Sequence, residues 1–247
     1  MGNTNENRRQ IISNIIKEKK QIDVTLLSDF LGVTKETIRQ DLDYLEHKGI
    51  LYRVHGGAVF REDNNDIPFD IRVKEANNLK KEIALKTIEY INDDTVIYLS
   101  ASSTTLHLVP LLKLRKNLTI FTNSLSVINA LKGSKHKVIV IGGEYNSKSD
   151  CMSGQYPFEM IKDILFDICI CSMDGCKDLD GPAILTNSEQ LFTKMIIANS
   201  KKKFLITDHR KFHQVANYKY AKFSDFDYII CDDFIGDNKN YNIIRTK

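Results

Sequence analysis

Six short apolar runs alternate with helical patterns through the C-terminal two-thirds of the chain: Thr95 to Leu99, Leu118 to Thr122, Val138 to Ile141, Asp167 to Met173, Phe204 to Thr207 and Tyr228 to Cys231. A near-continuous apolar run reads as a strand covered on both faces, and strands alternating with helices predict a mostly parallel α/β sheet. Ligands of such sheets bind outside the carboxyl ends of the strands, so the residues following each run are the candidate site. After the first run come Ser100, Ser102, Ser103, Thr104 and Thr105, a hydroxyl-rich turn whose backbone N–H groups can cradle an anion. Asn123 and Ser124 follow the second, Gly142 and Gly143 the third, Asp174 and Gly175 the fourth, and Asp208 with Lys211 the fifth. Hydroxyls, amides, small residues and one lysine on a single rim suit a phosphorylated polyol.

The N-terminal sixty residues follow another rule. Ile11, Ile12, Ile15 and Ile16 give a first amphipathic helix ending near Lys17 to Lys20, and Ile22 with Val24 forms a short extended link. Thr25 is expected to cap a second helix that packs Leu26, Leu27, Phe30 and Leu31 inward and stops at Gly32. Thr34 then caps a third helix, whose Ile38, Leu42 and Leu45 recur at i, i+4 and i+7. Gly49 ends it, and Leu51 to Val54 and Ala58 to Phe60 around Gly56-Gly57 predict a hairpin. Helix, turn, helix and wing is a DNA-reading layout, with Thr34, Lys35, Thr37, Arg39 and Gln40 on the exposed start of the recognition helix. Arg39 and Lys35 reach phosphate or guanine edges, Gln40 can pair with adenine, and Arg53 and His55 on the wing hold the backbone. Asp41 would repel phosphate, which makes it an internal partner for a nearby arginine.

Thr34-x-x-Thr37-Ile38-Arg39-x-Asp41-Leu42, followed by Leu45, Gly49, Leu51, Arg53, Val54 and His55-Gly56-Gly57-Ala58, resembles the signature of the DeoR family of bacterial transcription regulators. Phe69-x-x-Arg72 and Lys81-x-Ile83-Ala84 resemble that family's entry to its sensor domain, and Asp208-x-x-Lys211-Phe212 matches a further pattern. The resemblance implies a sensor domain similar to ribose-5-phosphate isomerase, binding a phosphorylated sugar or related metabolite. It also implies a repressor of carbohydrate use, double-stranded operator DNA as partner, and a homo-oligomer, a dimer or tetramer. Three departures stand out. Gln40 replaces the second arginine of Arg-Arg-Asp-Leu; Ser100-Ala101-Ser102-Ser103-Thr104 replaces Asp-x-Gly-Ser/Thr-Thr; and the Glu-Ala-x-x-Lys helix reads Glu189-Gln190-Leu191-Phe192-Thr193-Lys194, without a unique register. The expected organisation is a winged helix-turn-helix over 1–60, a linker over 61–76 with its boundary in the polar stretch Arg61 to Asp66, and an α/β sensor over 77–247.

Bulk properties narrow the class. With 247 residues there is length for two domains. There is no apolar run long enough to span a bilayer and Met1 to Gln10 is polar, so a cytoplasmic protein with no membrane partner is expected. Lys plus Arg number 35 against 32 Asp plus Glu, and residues 1–62 hold 10 basic and 9 acidic side chains, so any phosphate-binding surface must come from arrangement. Cys151, Cys169, Cys171, Cys176 and Cys231 are expected as reduced thiols. Cys169-Ile170-Cys171 with Cys176 has a metal or redox alternative, but its alternation in an apolar run reads as a buried strand. No cofactor and no metal ion is expected. Two rival readings are a sugar-phosphate isomerase with an accessory winged helix and a winged helix used for protein docking; the first needs a carboxylate base, to be sought among Glu144, Asp174 and Asp208.

Overall fold

The structure is a computed structural model that describes residues 4–61, 67–176, 179–234 and 241–246; residues 62–66 of the expected boundary stretch lie outside the described residues. The chain forms two compact units, Met1–Ile71 and Arg72–Lys247.

The first unit runs α1 (Thr4–Lys19), β1 (Gln21–Asp23), α2 (Val24–Leu31), α3 (Lys35–His47), β2 (Leu51–Val54) and β3 (Gly57–Phe60), with the strands in the antiparallel order β1-β3-β2. Its core is one cluster in which Ile12, Ile16, Ile38, Leu42 and Leu51 are fully buried. Thr34 caps α3 as its hydroxyl accepts the Thr37 N–H (3.2 Å), and Gly32, at φ 64°, closes α2. The start of α2 differs from expectation: Asp23, not Thr25, is its cap, accepting the Thr25 and Leu26 N–H groups at 2.7 and 3.1 Å. A carboxylate both satisfies orphan donors and complements the positive end of the helix dipole, so it outcompetes the hydroxyl two residues on. The inward stripe is then Val24, Leu27, Ser28 and Leu31, at i, i+3, i+4 and i+7, which turns Leu26 and Phe30 out to 70% and 72% exposure.

Asp41 holds this unit together. It is 1% exposed, and its two carboxylate oxygens accept the Arg8 Nε–H and the Arg9 Nε–H, the latter at 2.8 Å, tying α3 to α1. Asp41 is thus the internal partner that its acidity suggested.

In the second unit α4 (Phe69–Lys74), which begins at the end of the first, and α5 (Asn77–Ile88) lead into a seven-stranded sheet. Its strands are β4 (Val96–Leu99), β5 (Thr119–Thr122), β6 (Lys137–Val140), β9 (Phe166–Cys171), β11 (Ser200–Thr207), β13 (Tyr228–Cys231) and β14 (Ile243–Arg245). The order is β14-β13-β11-β9-β4-β5-β6 with every pairing parallel. The six expected strands are present within a residue or two except β11, which starts four residues earlier. β14 was not anticipated, nor were the hairpin of β7 (Glu144–Asn146) with β8 (Cys151–Ser153) and the pair of β10 (Ala183–Ile184) with β12 (Tyr218–Lys219). These strands are too short for period-2 alternation to show.

Strand alternation sorts the core into two layers. Ile97, Leu99, Ile120, Ile168, Ile170, Phe204 and Ile206 pack with α5, α6 (Ser103–Leu108) and α7 (Leu125–Ala130) on one face. Tyr98, Phe121, Cys169, Cys171 and Leu205 pack with α8 (Gln155–Ile161) and α9 (Asn187–Ala198) on the other. Cys169 and Cys171 therefore fill core positions as small side chains. On α5 the inward stripe is Lys80, Ile83, Ala84, Thr87 and Ile88, while Leu85 is 54% exposed.

Replacing Asp41 with alanine leaves two partly buried guanidinium groups unpaired. In chemical unfolding of the full chain, Asp41→Ala is expected to cost about 3 kcal/mol, while Asp29→Ala, at an exposed position of α2, costs less than about 0.5 kcal/mol.

Candidate functional site

The recognition helix exposes Thr34, Lys35, Arg39 and Gln40, with Thr37 half-buried. The Arg39 guanidinium meets Glu36 at 3.2 Å with both side chains more than half exposed, a pair weak enough to open when phosphate arrives. His55 and Gly56 lie exposed at the tip of the wing, where Gly56 takes φ 78°. Two wing residues are placed otherwise. Arg53 donates to the Arg39 carbonyl at 3.1 Å and to the Asp43 carboxylate, and its own N–H donates to Glu46 at 2.7 Å, so it braces the hairpin against α3. Gly57 is buried, and a Cβ there would stand 2.0 Å from the Ile22 carbonyl oxygen, so its need is close approach of β3 to β1.

In the second unit the strand order reverses between β4 and β9: β5 and β6 extend the sheet to one side, and β11, β13 and β14 to the other. A pocket opens at the carboxyl ends of these two strands, lined by Ser100, Ser102, Ser103, Thr104, Asn123, Asp174 and Lys211 among the expected residues. Ser102 caps α6 by accepting the Thr105 N–H at 2.9 Å, and the Thr105 hydroxyl bonds those of Ser102 and Ser100 at 2.7 and 3.2 Å. Thr105 is thereby fully buried beneath the turn and does not line the pocket. The backbone N–H groups of Ser103 and Thr104 have no acceptor among the described residues.

Five other expected residues lie outside the pocket wall. Ser124 caps α7 and donates at 2.7 Å to Asp150, a buried carboxylate that also accepts the Ser126 N–H. A Cβ on Gly143 would sit 2.5 Å from the Ser153 carbonyl, and one on Gly175 2.2 Å from that of Gln214, so both glycines serve backbone packing; Gly142 has open space around it. Asp208 is 1% exposed and accepts Arg210 Nε–H at 2.7 Å. Burial opposes its charge, but the Arg210 hydrogen bond and charge, with Lys211 and Lys80, hold its carboxyl below the usual range.

The pocket also contains residues that the strand-end rule does not reach: Arg72, Tyr98, Ser149, Cys151, Glu189 and Thr193. Arg72 pairs with Asp174 at 3.3 Å, both largely buried, and the second Asp174 oxygen accepts the Leu185 N–H at 3.2 Å. The Arg72 carbonyl accepts the ammonium of Lys80, whose pKa burial lowers to about 8. Tyr98 donates to Asn123 at 3.0 Å, and Asn123 donates to the Met152 carbonyl at 3.0 Å. Glu189 accepts the Ser149 hydroxyl at 2.8 Å and the Cys151 thiol at 3.1 Å. Burial raises the Glu189 pKa, with the Asp174 charge adding to it. Burial likewise pushes the Lys211 amine down, partly opposed by Asp174, while its ammonium donates to Gln214 at 2.7 Å.

Arg72 had a signal in the Phe69-x-x-Arg72 pattern, and Glu189 in Thr186-x-x-Glu189, which reads as a capping box. Thr186 does cap α9, but the Glu189 carboxylate turns into the pocket. Ser149 and Cys151 sit on the unanticipated hairpin. Among the described residues no group of three or more His, Cys, Asp or Glu could hold a metal ion, and no helix is long and apolar enough to cross a membrane.

A helix-turn-helix with a wing, followed by a parallel α/β unit with a polar pocket at its switch point, is the layout of a ligand-responsive DNA-binding regulator. Residues 8–64 match the DeoR-like helix-turn-helix domain and residues 75–233 the DeoR C terminal sensor domain. The chain belongs to the DeoR family of transcriptional regulators. It is 30% identical over 240 residues to an uncharacterized HTH-type transcriptional regulator of Haemophilus influenzae, covering 96% of this chain and 93% of that one. With the glycerol-3-phosphate regulon repressor of Escherichia coli it shares 28% identity, over 91% of this chain and 90% of the repressor. With the L-fucose operon activator of Escherichia coli it shares 29%, over 92% and 94%. Among solved structures, a D-ribose-5-phosphate isomerase in complex with phospho-erythronic acid aligns over 55% of this chain and 54% of its own, at 15% identity and a TM-score of 0.41.

The two arginines of the DNA-reading surface are distinguishable. Operator affinity measured against salt is expected to fall for both Arg39→Ala and Arg53→Ala, but the slope of log K on log salt shrinks by about 0.9 only where a phosphate contact is lost. Arg39→Ala is expected to shrink it, and Arg53→Ala to leave it unchanged.

Proposed function

We propose that the protein is a repressor of a carbohydrate-utilisation operon whose α/β unit binds a phosphorylated sugar and thereby changes the affinity of the winged helix for its operator. The observation that carries this reading is the switch-point pocket, in which Lys211, Arg72 and the unspent N–H groups of Ser103 and Thr104 accompany a wall of hydroxyls. Two cations and two backbone donors suit a phosphate dianion. Ser102, Asn123, Ser149 and Glu189 offer the alternating donors and acceptors that a polyol needs. Glu189 supplies a carboxylate acceptor in the same pocket in which the family's aspartate is replaced by Ser100. The glycerol-3-phosphate regulon repressor is a relative consistent with a phosphorylated ligand, and the L-fucose operon activator with a sugar operon.

Release works through differential affinity, since a ligand that binds both states equally shifts nothing. Arg72 is both a pocket residue and the first residue of the second unit. A phosphate that competes with Asp174 for Arg72 therefore acts on the chain where that unit begins. The wing and α3 read a half-site, so the operator-bound species is a homo-oligomer, and the setting is the cytoplasm.

An isomerase reading draws on Glu189, a pocket carboxyl with a raised pKa, as general base. The other candidates are committed elsewhere: Asp174 to Arg72, Asp208 to Arg210, and Glu144 to the hairpin outside the pocket wall. The deciding experiment follows operator release from the full chain by fluorescence anisotropy, with phosphorylated sugars and their unphosphorylated counterparts as titrants, alongside an assay for sugar-phosphate turnover. Lys211→Ala is expected to bind operator as the wild type does, while half-release needs roughly ten- to a hundredfold more effector, the worth of one charge-assisted hydrogen bond. Unaltered release from the variant removes Lys211 from the site, and robust turnover by the wild type overturns the pure-sensor reading.

A further inference from the structure

From Thr95 to Gly143 the chain contains no Asp or Glu but six basic residues, Lys113, Arg115, Lys116, Lys132, Lys135 and Lys137, while the remainder carries more acid than base. Five of the six converge on one groove. It lies between the 3-10 turn Val109–Leu114 with the loop after it and the loop that follows α7, at the amino ends of β5 and β6. This is the opposite end of the sheet from the pocket at the carboxyl ends of β4 and β9.

Two of the groove's basic residues are structural. Arg115 donates to the Ile88 carbonyl at 2.7 Å and to the Ile91 carbonyl, closing the end of α5. His136 contacts the Leu112 carbonyl at 3.0 Å. The side chains of Lys113, Lys116, Lys132 and Lys135 are exposed, and none has a carboxylate partner among the described residues. The carboxylates beside the groove, Asp93 and Asp94, are engaged with the Lys116 N–H and the Asn117 amide at 2.9 and 3.0 Å. The two carboxylates keep their charge, but the five Lys and Arg side chains of the groove outnumber them, and four of those are ammonium groups with no carboxylate partner among the described residues, so the concavity carries a net positive potential.

We infer that this groove is a second, sequence-independent contact for the DNA phosphate backbone, separate from the recognition helix. The four cations are lysines, hydrated point charges on flexible stems, with no guanidinium fork or buried donor free to orient one small anion. Such a rim fits a polymer of closely spaced phosphates better than a single ligand. The winged helix leaves that role open: it is near charge balance, and Arg8, Arg9 and Arg53 are spent on Asp41 and Asp43.

The test uses the full chain and a 60-base-pair duplex of arbitrary sequence as probe, with affinity measured across a series of KCl concentrations. The quadruple variant Lys113→Gln, Lys116→Gln, Lys132→Gln, Lys135→Gln is expected to lose at least about tenfold in affinity at 150 mM salt and to lower the slope by about 0.9 for each phosphate released. The corresponding quadruple Lys→Arg variant keeps the wild-type slope, which separates lost charge from a damaged fold. An unchanged slope in the glutamine variant overturns the inference. So does a change in its oligomeric state by sedimentation, which would assign the groove to a contact between copies. Saturable thermal stabilisation of the wild type by inorganic tripolyphosphate, lost in the glutamine variant with the DNA slope intact, would overturn it in favour of a small polyphosphate ligand.

Discussion

The reversal of strand order between β4 and β9 governs the second unit. Neighbouring parallel strands whose following segments diverge to opposite faces leave a crevice between them, and nothing in the backbone fills it. On one side the chain continues into Ser102 and α6, on the other into Asp174, and the crevice floor is Tyr98 and Cys171. The remaining elements close this opening. The β7–β8 hairpin contributes Ser149 and Cys151, α9 contributes Glu189, and the turn after β11 contributes Lys211. Side chains far apart in sequence meet because the strand ends, the hairpin and α9 converge on one edge.

Three ion pairs of this molecule each join two elements. Asp41 locks α1 to α3, Arg53 joins the wing to α3 through Asp43, and Arg72 meets Asp174 across the pocket. Breaking a buried pair costs far more than its net contribution, since the surviving partner is left desolvated. These pairs therefore fix geometry more than they add stability. The same logic divides the arginines into two groups. Those paired with a carboxylate of a neighbouring element, as Arg8, Arg9, Arg53 and Arg72 are, brace the fold, and those facing solvent, such as Arg39, remain available to DNA.

The parts legible in the sequence were those with a strong local period or cap. The Ile38, Leu42, Leu45 stripe, the Thr34 cap, the Gly32 stop and the six central strands follow from spacing alone, and the rim residues Ser100, Asn123, Asp174 and Lys211 follow from the strand-end rule. Thr25 and Asp23 competed for one cap two residues apart, and the stronger acceptor prevailed. Glu189 carried a local pattern that implied a cap, whereas its destination depends on Ser149 and Cys151, some forty positions away. Gly143 and Gly175 read as turns at a rim, but the contacts that require them are backbone approaches visible only in three dimensions.

The central claim is that one molecule couples occupancy of the switch-point pocket to the hold of α3 on DNA. Coupling between two binding sites is reciprocal: if effector weakens operator binding by a given factor, operator weakens effector binding by the same factor. The most direct measurement is calorimetric titration of the full chain with an effective phosphorylated sugar, once free and once saturated with operator. The account predicts an affinity ratio equal to the factor by which that sugar lowers operator affinity. A ratio of one would contradict it.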